Sequence, residues 1–129
     1  MTDALHSKAL VVKPGDTAHA FGDDFPAAAS TPAVLGLAEV ACHEALRPTL
    51  EAGQITVGTR AVIDHVAPTP VGATLVAKVL DIQREGRRVD FTVEVSDEAG
   101  VCARIEHTRA VVVRAAIEDK LGKRLGTNE

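Results

Sequence analysis

A glutamate, two histidines and an arginine occupy positions in this chain where the surrounding sequence pattern predicts burial. Glu39 lies in the middle of an apolar segment with helical spacing, while His65, His107 and Arg109 fall on the apolar faces of alternating segments. A charged side chain in such a place is costly unless it is paired or faces a cavity. Carboxylates and imidazoles are also the groups that enzymes most often use to transfer protons. These residues therefore point to acid–base chemistry at a partly buried site.

Each of these residues also has a purely structural interpretation. Glu39 is followed one helical turn later by His43, so the two side chains can pair. His65 lies just before a predicted turn, where the end of a strand can be wet. Arg109 is the hardest to explain in this way, because a guanidinium cannot lose its charge to suit a dry core. We therefore expect a carboxylate or a ligand beside Arg109 or its neighbour His107; a position at the edge of the sheet is the alternative.

Smaller residues add to this pattern. Thr31 directly precedes Pro32 at the start of the helical segment, a position where threonine commonly caps a helix. Gly58 lies inside a strand-like segment, where glycine weakens pairing unless another group approaches the backbone closely. Cys42 and Cys102 lack the spacing of a metal or redox site, so we expect small core residues there and no metal. The sequence has no cofactor motif such as GxGxxG or a P-loop, and we expect no cofactor.

Length and composition limit the possible functions. The chain has 129 residues, 46% of them apolar, and a formal net charge of −4. This acidic balance argues against a nucleic-acid partner, which requires a basic surface. No apolar run approaches the roughly 18–20 residues that span a bilayer, so no membrane association is expected. No secretory signal is visible, and we expect a single cytoplasmic domain over residues 1–129 with a frayed tail at about 122–129.

The elements that position these residues follow from the helix and strand patterns. A helix is predicted from Ser30 or Thr31 to Leu46, because apolar residues cover nearly its whole circumference and Pro48 follows. Strands are predicted at residues 8–12, 55–66, 73–82, 88–96 and 101–113, and a short last helix at 115–121.

The order of these elements is β-α-β-β-β-β, and the short connections make neighbouring strands antiparallel. Strict alternation in the second strand places Ile55, Val57 and Ile63 on the same inward face as His65. Together with the loop at residues 21–26, these residues predict a small apolar cavity. One long buried helix on an antiparallel sheet is the α+β arrangement of the hotdog fold. Another α+β roll of similar order also fits the pattern.

Three segments resemble the fluoroacetyl-CoA thioesterase type of hotdog thioesterase. They are the helix motif of residues 30–42, the Gly-Thr…His…Ala-Pro…Gly stretch of residues 57–72, and the His-x-Arg-Ala-Val run within residues 106–112. Intervals of 8, 26 and 44 residues separate Thr31, Glu39, His65 and Arg109, in agreement with that family. The resemblance covers roughly residues 8–115.

The resemblance implies an acyl-CoA thioesterase that hydrolyses a small or short-chain thioester to the free acid and CoA. The family's catalytic threonine, glutamate and histidine fall on Thr31, Glu39 and His65. The residues that fall on its substrate-binding positions are Gly58, Arg109 and Phe25.

Two positions depart from the family pattern. Gly22 stands where a second lid aromatic is expected, with Phe21 beside it, and Val40 replaces an aromatic residue after the catalytic glutamate. These departures weigh against selectivity for fluoroacetyl-CoA and leave thioester hydrolysis in place.

The spacing of Thr31 and Glu39 raises a geometric question. Eight helical residues correspond to about 12 Å of rise. A compact site therefore needs Thr31 in the loop before the helix, or residues from a second subunit. The resemblance implies a homodimer or higher oligomer with sites between subunits, and acyl-CoA as the small-molecule partner.

Two other functions remain open. A hotdog enoyl-CoA hydratase would also place a histidine and a carboxylate near a thioester, but its Asp and His about five residues apart at the helix end are not found. A non-catalytic acyl-CoA-binding module is the other, and it would tolerate Glu39→Gln.

Overall fold

The structure, a computed structural model, describes residues 3–126. Its strands and α-helices are β1 (His6–Val11), α1 (Thr31–Leu46), β2 (Gln54–His65), β3 (Thr74–Glu85), β4 (Arg88–Asp97), β5 (Gly100–Val113) and α2 (Arg114–Arg124). Short 3₁₀ turns lie in the connections, at Pro14–Asp16, Ala18–Phe21 and Arg47–Thr49. Every predicted strand is present, and no strand end differs from its predicted position by more than three residues.

The strands form one antiparallel sheet in the order β1-β3-β4-β5-β2. α1 packs on this sheet, and its buried side chains are Val34, Leu37, Ala38, Ala41, Cys42 and Leu46. Inward residues of the sheet, among them Leu75, Val93 and Ile105, complete the core. Cys42 and Cys102 are both free and buried, as expected for small core residues. The predicted α+β hotdog fold is confirmed.

Ser30 is the residue that caps α1. Its Oγ accepts a hydrogen bond of 3.1 Å from the backbone N–H of Ala33, which satisfies one of the free N–H groups of the first turn. Thr31 is the first helical residue, and Pro32 follows where a missing N–H is tolerated. The capping role that the sequence allowed for either residue therefore belongs to Ser30. The hydroxyl of Thr31 is left for another contact.

A β-bulge in β2 interrupts its pairing with β5. The register passes from the pair Gly58–Arg109 to the pair Arg60–Thr108, so Thr59 is the extra residue. An extra residue in one strand shifts the alternation of its side chains by one position. The two halves of β2 therefore turn opposite sets of residues toward the helix.

The bulge corrects one prediction about the inward face. Residues opposite each other in an antiparallel pair share a face. The β2 residues opposite the inward side chains of β5 are Thr56, Gly58, Ala61, Ile63 and His65. The inward placement of His65 is correct. The inward placement of Ile55 and Val57 is wrong, because strict alternation does not continue through the bulge.

α2 follows β5 directly and is longer than the predicted helix at 115–121. Residues 122–124, which we expected in the frayed tail, form its last turn. Residues 127–129 of that predicted tail lie outside the described residues. Within residues 3–126, neither helix has the length and the apolar character that crossing a membrane requires.

Candidate active site

Thr31 and His65 meet at the start of α1. The Oγ1 atom of Thr31 lies 2.9 Å from Nδ1 of His65, so a hydrogen bond joins the first residue of α1 to the last residue of β2. Thr31 is free to make this contact because Ser30 caps the helix. A hydroxyl bonded to an imidazole allows histidine to take a proton from a nucleophile or from a water molecule that the hydroxyl orients.

The other ring nitrogen of His65 has a different environment. Its Nε2 is buried and has no hydrogen-bond partner among residues 3–126. Buried polar atoms are nearly always paired in native proteins, so this unpaired nitrogen is an exception. The imidazole of His65 thus has one nitrogen engaged with Thr31 and one available.

Glu39 and Arg109 form a second group. The Oε2 atom of Glu39 accepts a hydrogen bond of 2.9 Å from Nη1 of Arg109, although 70 residues separate them in sequence. Of the expected partners, a carboxylate or a ligand beside Arg109 or His107, the structure shows a carboxylate on Arg109. The alternative pairing of Glu39 with His43 is not formed, since Nδ1 of His43 contacts Oγ1 of Thr56 at 2.7 Å. Oε1 of Glu39 has no hydrogen bond within residues 3–126 and stays available.

Arg109 is held from several directions. Its Nε donates to Oγ1 of Thr56 at 2.8 Å, and its Nη2 donates to the Thr56 carbonyl at 2.9 Å. Nη1 also donates to Nε2 of His107 at 3.0 Å. The guanidinium is planar, so fixing several of its donors fixes its orientation. Arg109 therefore presents a rigid partner to the Glu39 carboxylate.

His107 is a neutral hydrogen-bond acceptor toward Arg109. Its Nδ1 lies 2.8 Å from the carbonyl of Arg60, which can only accept, so the proton sits on Nδ1. Nε2 is then free to accept from the guanidinium. Burial is the main cause that lowers the pKa of His107; the Arg60 carbonyl opposes this effect and the Arg109 charge adds to it.

Gly58 lies directly against the Glu39 carboxylate. A Cβ atom at this position would lie 2.5 Å from Oε2 of Glu39, 3.2 Å from Cε1 of His107 and 3.3 Å from Nη1 of Arg109. The close approach expected from a glycine inside a strand is therefore present, and Glu39 is the group that approaches. Any larger residue at position 58 would displace the carboxylate.

An open apolar groove adjoins Thr31. It is lined by Ala18, Phe21, Phe25, Ser30, Thr31 and Pro32. The two phenylalanine rings are more than half exposed. Exposed apolar surface next to polar groups commonly marks a binding site. Phe25, a predicted substrate-binding residue, therefore lies beside the Thr31 group.

The predicted site residues fall into two groups within one chain. Thr31, His65 and Phe25 lie around the start of α1, whereas Glu39, Gly58 and Arg109 lie further along it. Thr31 is itself helical, so about 12 Å of helix rise separates it from Glu39. The structure describes no group of three or more His, Cys, Asp or Glu side chains that could hold a metal ion.

Thr56, which holds Arg109 in the Glu39 group, is a site residue that the sequence did not predict. Strict alternation placed it on the outer face, whereas the bulge turns it inward to hold Arg109. A signal was present in Gly58, since glycine inside a strand often marks a bulge.

Comparison with known proteins identifies the family of the chain. The family described as "FlK: Fluoroacetyl-CoA-specific thioesterase" matches residues 12–115, most of the chain. The chain belongs to the fluoroacetyl-CoA-specific thioesterase family. A relative of this FlK-family protein, the fluoroacetyl-CoA thioesterase of Streptantibioticus cattleyicolor, is 35% identical over 89 residues. The match covers 69% of this chain and spans 64%, less than two thirds, of that relative's length.

Solved structures of FlK superpose closely on the FlK-family chain. One, a variant with a threonine changed to serine and solved with acetyl-CoA, has a TM-score of 0.88 at 27% identity and covers 96% of this chain and 98% of that one. Another, with fluoroacetate and CoA, has a phenylalanine changed to alanine six residues before that threonine. Its TM-score is 0.83 at 28% identity, covering 92% of this chain and 97% of that one.

A more distant structure supports the fold alone. A hypothetical protein from Thermus thermophilus, described as a thioesterase superfamily member, has a TM-score of 0.83 at 23% identity. The alignment covers 96% of this chain and 92% of that chain.

Proposed function

We propose that this FlK-family protein hydrolyses a small or short-chain acyl-CoA thioester to the free acid and CoA. The observation that carries the proposal is the 2.9 Å hydrogen bond between Thr31 and His65 beside an apolar groove. Thioester hydrolysis needs a group that activates the attacking oxygen, a donor for the developing oxyanion and a pocket that excludes water. The relatives' names, which refer to fluoroacetyl-CoA thioesterase, support the same reaction class.

The working unit in this proposal is a homodimer with each site shared between subunits. The Thr31 group and the Glu39 group are too far apart along α1 to act on one thioester within a single chain. α1 also leaves one side uncovered, where Val40 is 44% exposed and a Cβ at Gly36 would contact nothing within 4 Å. An open apolar helix face of this kind supports the close approach of a second copy.

Each site residue has its own role in the proposed hydrolysis. His65 takes a proton from Thr31 or from a water molecule that Thr31 orients. Glu39, whose Oε1 is not engaged, serves as base or nucleophile toward the thioester carbonyl. Gly58 leaves its backbone open to the acyl oxygen, and Arg109 fixes the position of the Glu39 carboxylate.

The acyl group occupies the groove formed by Phe21 and Phe25 beside Thr31. The apolar lining of this groove, rather than Ile55 and Val57, supports a small apolar acyl group. Phe25 precedes Thr31 by six residues, the same interval as between the phenylalanine and the threonine altered in the FlK structures. Selectivity for fluoroacetyl-CoA is not part of the proposal.

A hydrolysis screen tests the reaction. Acyl-CoA substrates from acetyl to palmitoyl are offered in turn, and free CoA is detected with a thiol reagent. We expect short acyl chains to react faster than palmitoyl-CoA, with His65→Ala as the control for protein-dependent turnover. Comparable rates on acetyl-CoA and palmitoyl-CoA would contradict the size preference, and the absence of hydrolysis with every substrate would contradict the function.

Mixed dimers test the shared site. Thr31→Ala and Glu39→Gln are each expected to lower kcat by about 10²-fold or more as homodimers, which leaves a small measurable turnover. A heterodimer of the two keeps one intact site if the groups come from different subunits, so coexpression should restore up to about half of the activity per dimer. No recovery in a purified heterodimer, or full activity in a monomer by light scattering, would refute sharing.

A further inference from the structure

We propose that the buried hydroxyl of Thr69 is a positioning group for the Thr31–His65 pair, an inference that rests on the proposed function. Thr69 lies in the connection between β2 and β3 and is 0% exposed. Its Oγ1 donates to Oδ2 of Asp97 at 2.7 Å and lies 3.2 Å from Sγ of Cys102. We refer to the side chains of Thr69, Asp97 and Cys102 as the Thr69 cluster.

The proton positions in the cluster follow from its chemistry. A threonine hydroxyl has one proton, and Thr69 donates it to the Asp97 carboxylate. The thiol of Cys102 contacts the same hydroxyl oxygen at 3.2 Å and lies 3.5 Å from the carbonyl of Gly100, to which it can donate its one proton. Oδ1 of Asp97 accepts from the backbone N–H of Ala99 at 2.8 Å, which ties the carboxylate to the turn between β4 and β5. The hydrogen bond from Thr69 is the main cause that lowers the pKa of Asp97, so the acceptor is charged.

The cluster reaches Thr31 through the backbone. The carbonyl of Thr69 accepts a hydrogen bond of 2.8 Å from the N–H of Ala29, and the adjacent residues Ala28 and Pro70 form an isolated β-bridge. Ala29 directly precedes the helix cap and lies two residues before Thr31. Movement of Thr69 would therefore shift the segment that starts α1.

The cluster also reaches His65. The N–H groups of Val66 and Ala67, the two residues after His65, donate to the carbonyl of Cys102 at 2.7 and 3.2 Å. The thiol of the same Cys102 contacts Thr69. Thr31 and His65 are thus each attached, within two residues, to the backbone carbonyl of a residue in the Thr69 cluster, Thr69 on one side and Cys102 on the other.

Packing alone does not explain the hydroxyl at residue 69, because burial of a polar group has an energetic cost. A valine has the shape of threonine and would fill the same space, but it would leave the Asp97 carboxylate without its buried donor. The hydroxyl instead orients the chain, because its hydrogen bond to Asp97 holds the connection between β2 and β3 in one position. Misplacement of a catalytic group by about 1 Å can reduce a rate by about 10²-fold, so orientation of this kind is worth retaining.

Three variants separate positioning from simple stability. Thr69→Val should lower kcat by about ten-fold or more with KM nearly unchanged, since the binding groove is left in place. Thr69→Ser keeps the hydroxyl and should retain kcat within about two-fold. Val79→Ala, a truncation of a fully buried core residue outside the cluster, should lower the Tm without lowering kcat at 20 °C.

A double substitution checks the route of the effect. In a Thr31→Ala background the pair no longer exists, so Thr69→Val should cause no further loss of kcat. Loss of the same factor of kcat in both backgrounds would overturn the proposal. A kcat of Thr69→Val within two-fold of wild type would also overturn it, as would a kcat of Thr69→Ser no higher than that of Thr69→Val.

A measurement that does not depend on turnover keeps this inference separate from the proposed function. The ring ¹⁵N signals of His65, in protein labelled at histidine, report the hydrogen bond at Nδ1. They should move in Thr69→Val toward their positions in Thr31→Ala and stay at wild-type positions in Val79→Ala. Unchanged His65 signals in Thr69→Val would overturn the positioning role, whether or not the protein hydrolyses acyl-CoA. Absence of acyl-CoA hydrolysis would instead refute the proposed function and leave the NMR test of positioning valid.

Discussion

Replacement of Gly58 by alanine tests where the Glu39 carboxylate must lie. The new Cβ would be 2.5 Å from Oε2 of Glu39, whereas ordinary contact begins at 3.4 Å. The carboxylate must therefore retreat by about 0.9 Å, the difference between the two distances. It can do so because Glu39 is the end of a flexible side chain that is 37% exposed.

The expected loss is much larger in rate than in stability. The fold survives, with a destabilisation of about 1–3 kcal/mol at most, the usual cost of overpacking. Once displaced, however, the carboxylate cannot both keep the 2.9 Å hydrogen bond to Arg109 and remain where the proposed reaction needs it. A shift close to 1 Å corresponds to a fall of about 10- to 10²-fold in kcat.

The assay compares Gly58→Ala with a matched control. kcat and KM are measured on the best acyl-CoA, and the Tm is followed by circular dichroism. Gly15→Ala is the control, because a Cβ there meets nothing within 4 Å and should leave kcat at the wild-type value. A Gly58→Ala protein with the kcat of the control would show that the position of Glu39 does not matter for the reaction.

Three further outcomes are expected. Glu39→Gln removes the charge but keeps the size, so kcat should fall by about 10²-fold or more while the fold survives, with a lower Tm because the buried Arg109 loses its carboxylate partner; near wild-type kcat would favour an acyl-CoA-binding module. His65→Ala should lower kcat by a similar factor in the same assay, and a loss limited to KM would remove His65 from the proton transfer. Stability should decline as the pH falls through 6.5, because the pKa of His107 is lowered in the folded state and the unfolded chain binds the proton more readily. Urea unfolding at pH 8 and pH 5.5 measures this decline, which should be smaller in His107→Gln; an equal decline in both proteins would assign it elsewhere.

The elements of the fold could be predicted because each has a strong local signal. α1 could be predicted from an apolar segment that begins at Thr31-Pro32 and ends before Pro48. β4 could be predicted from regular alternation in residues 88–96. These signals depend on neighbouring residues alone. The antiparallel direction of the β3–β4 and β4–β5 pairs follows from their short connections. The position of β2 beside β5 does not, because β2 and β3 are also joined by a short connection and yet do not pair.

The pairings within the site were harder to predict. The sequence predicted a carboxylate or a ligand beside Arg109 or His107, yet the pairing of Arg109 with Glu39 depends on how β5 lies against α1, which local sequence does not contain. The outward assignment of Thr56 failed because a single extra residue in β2 reverses the faces before it. Thr69 looked like an ordinary turn residue between two prolines, and only its contact with Asp97, 28 residues away, shows otherwise.

Ser30 and Thr31 carry separate duties although they are adjacent. Since the helix is held by Ser30, residue 31 can be exchanged for serine, cysteine or another side chain without breaking the first turn. Position 30 is confined to capping residues, while position 31 can be varied without loss of the helix cap. A library at residue 31 would therefore change the side chain that faces His65 at nearly constant helix stability, which separates the chemistry of this position from its effect on folding.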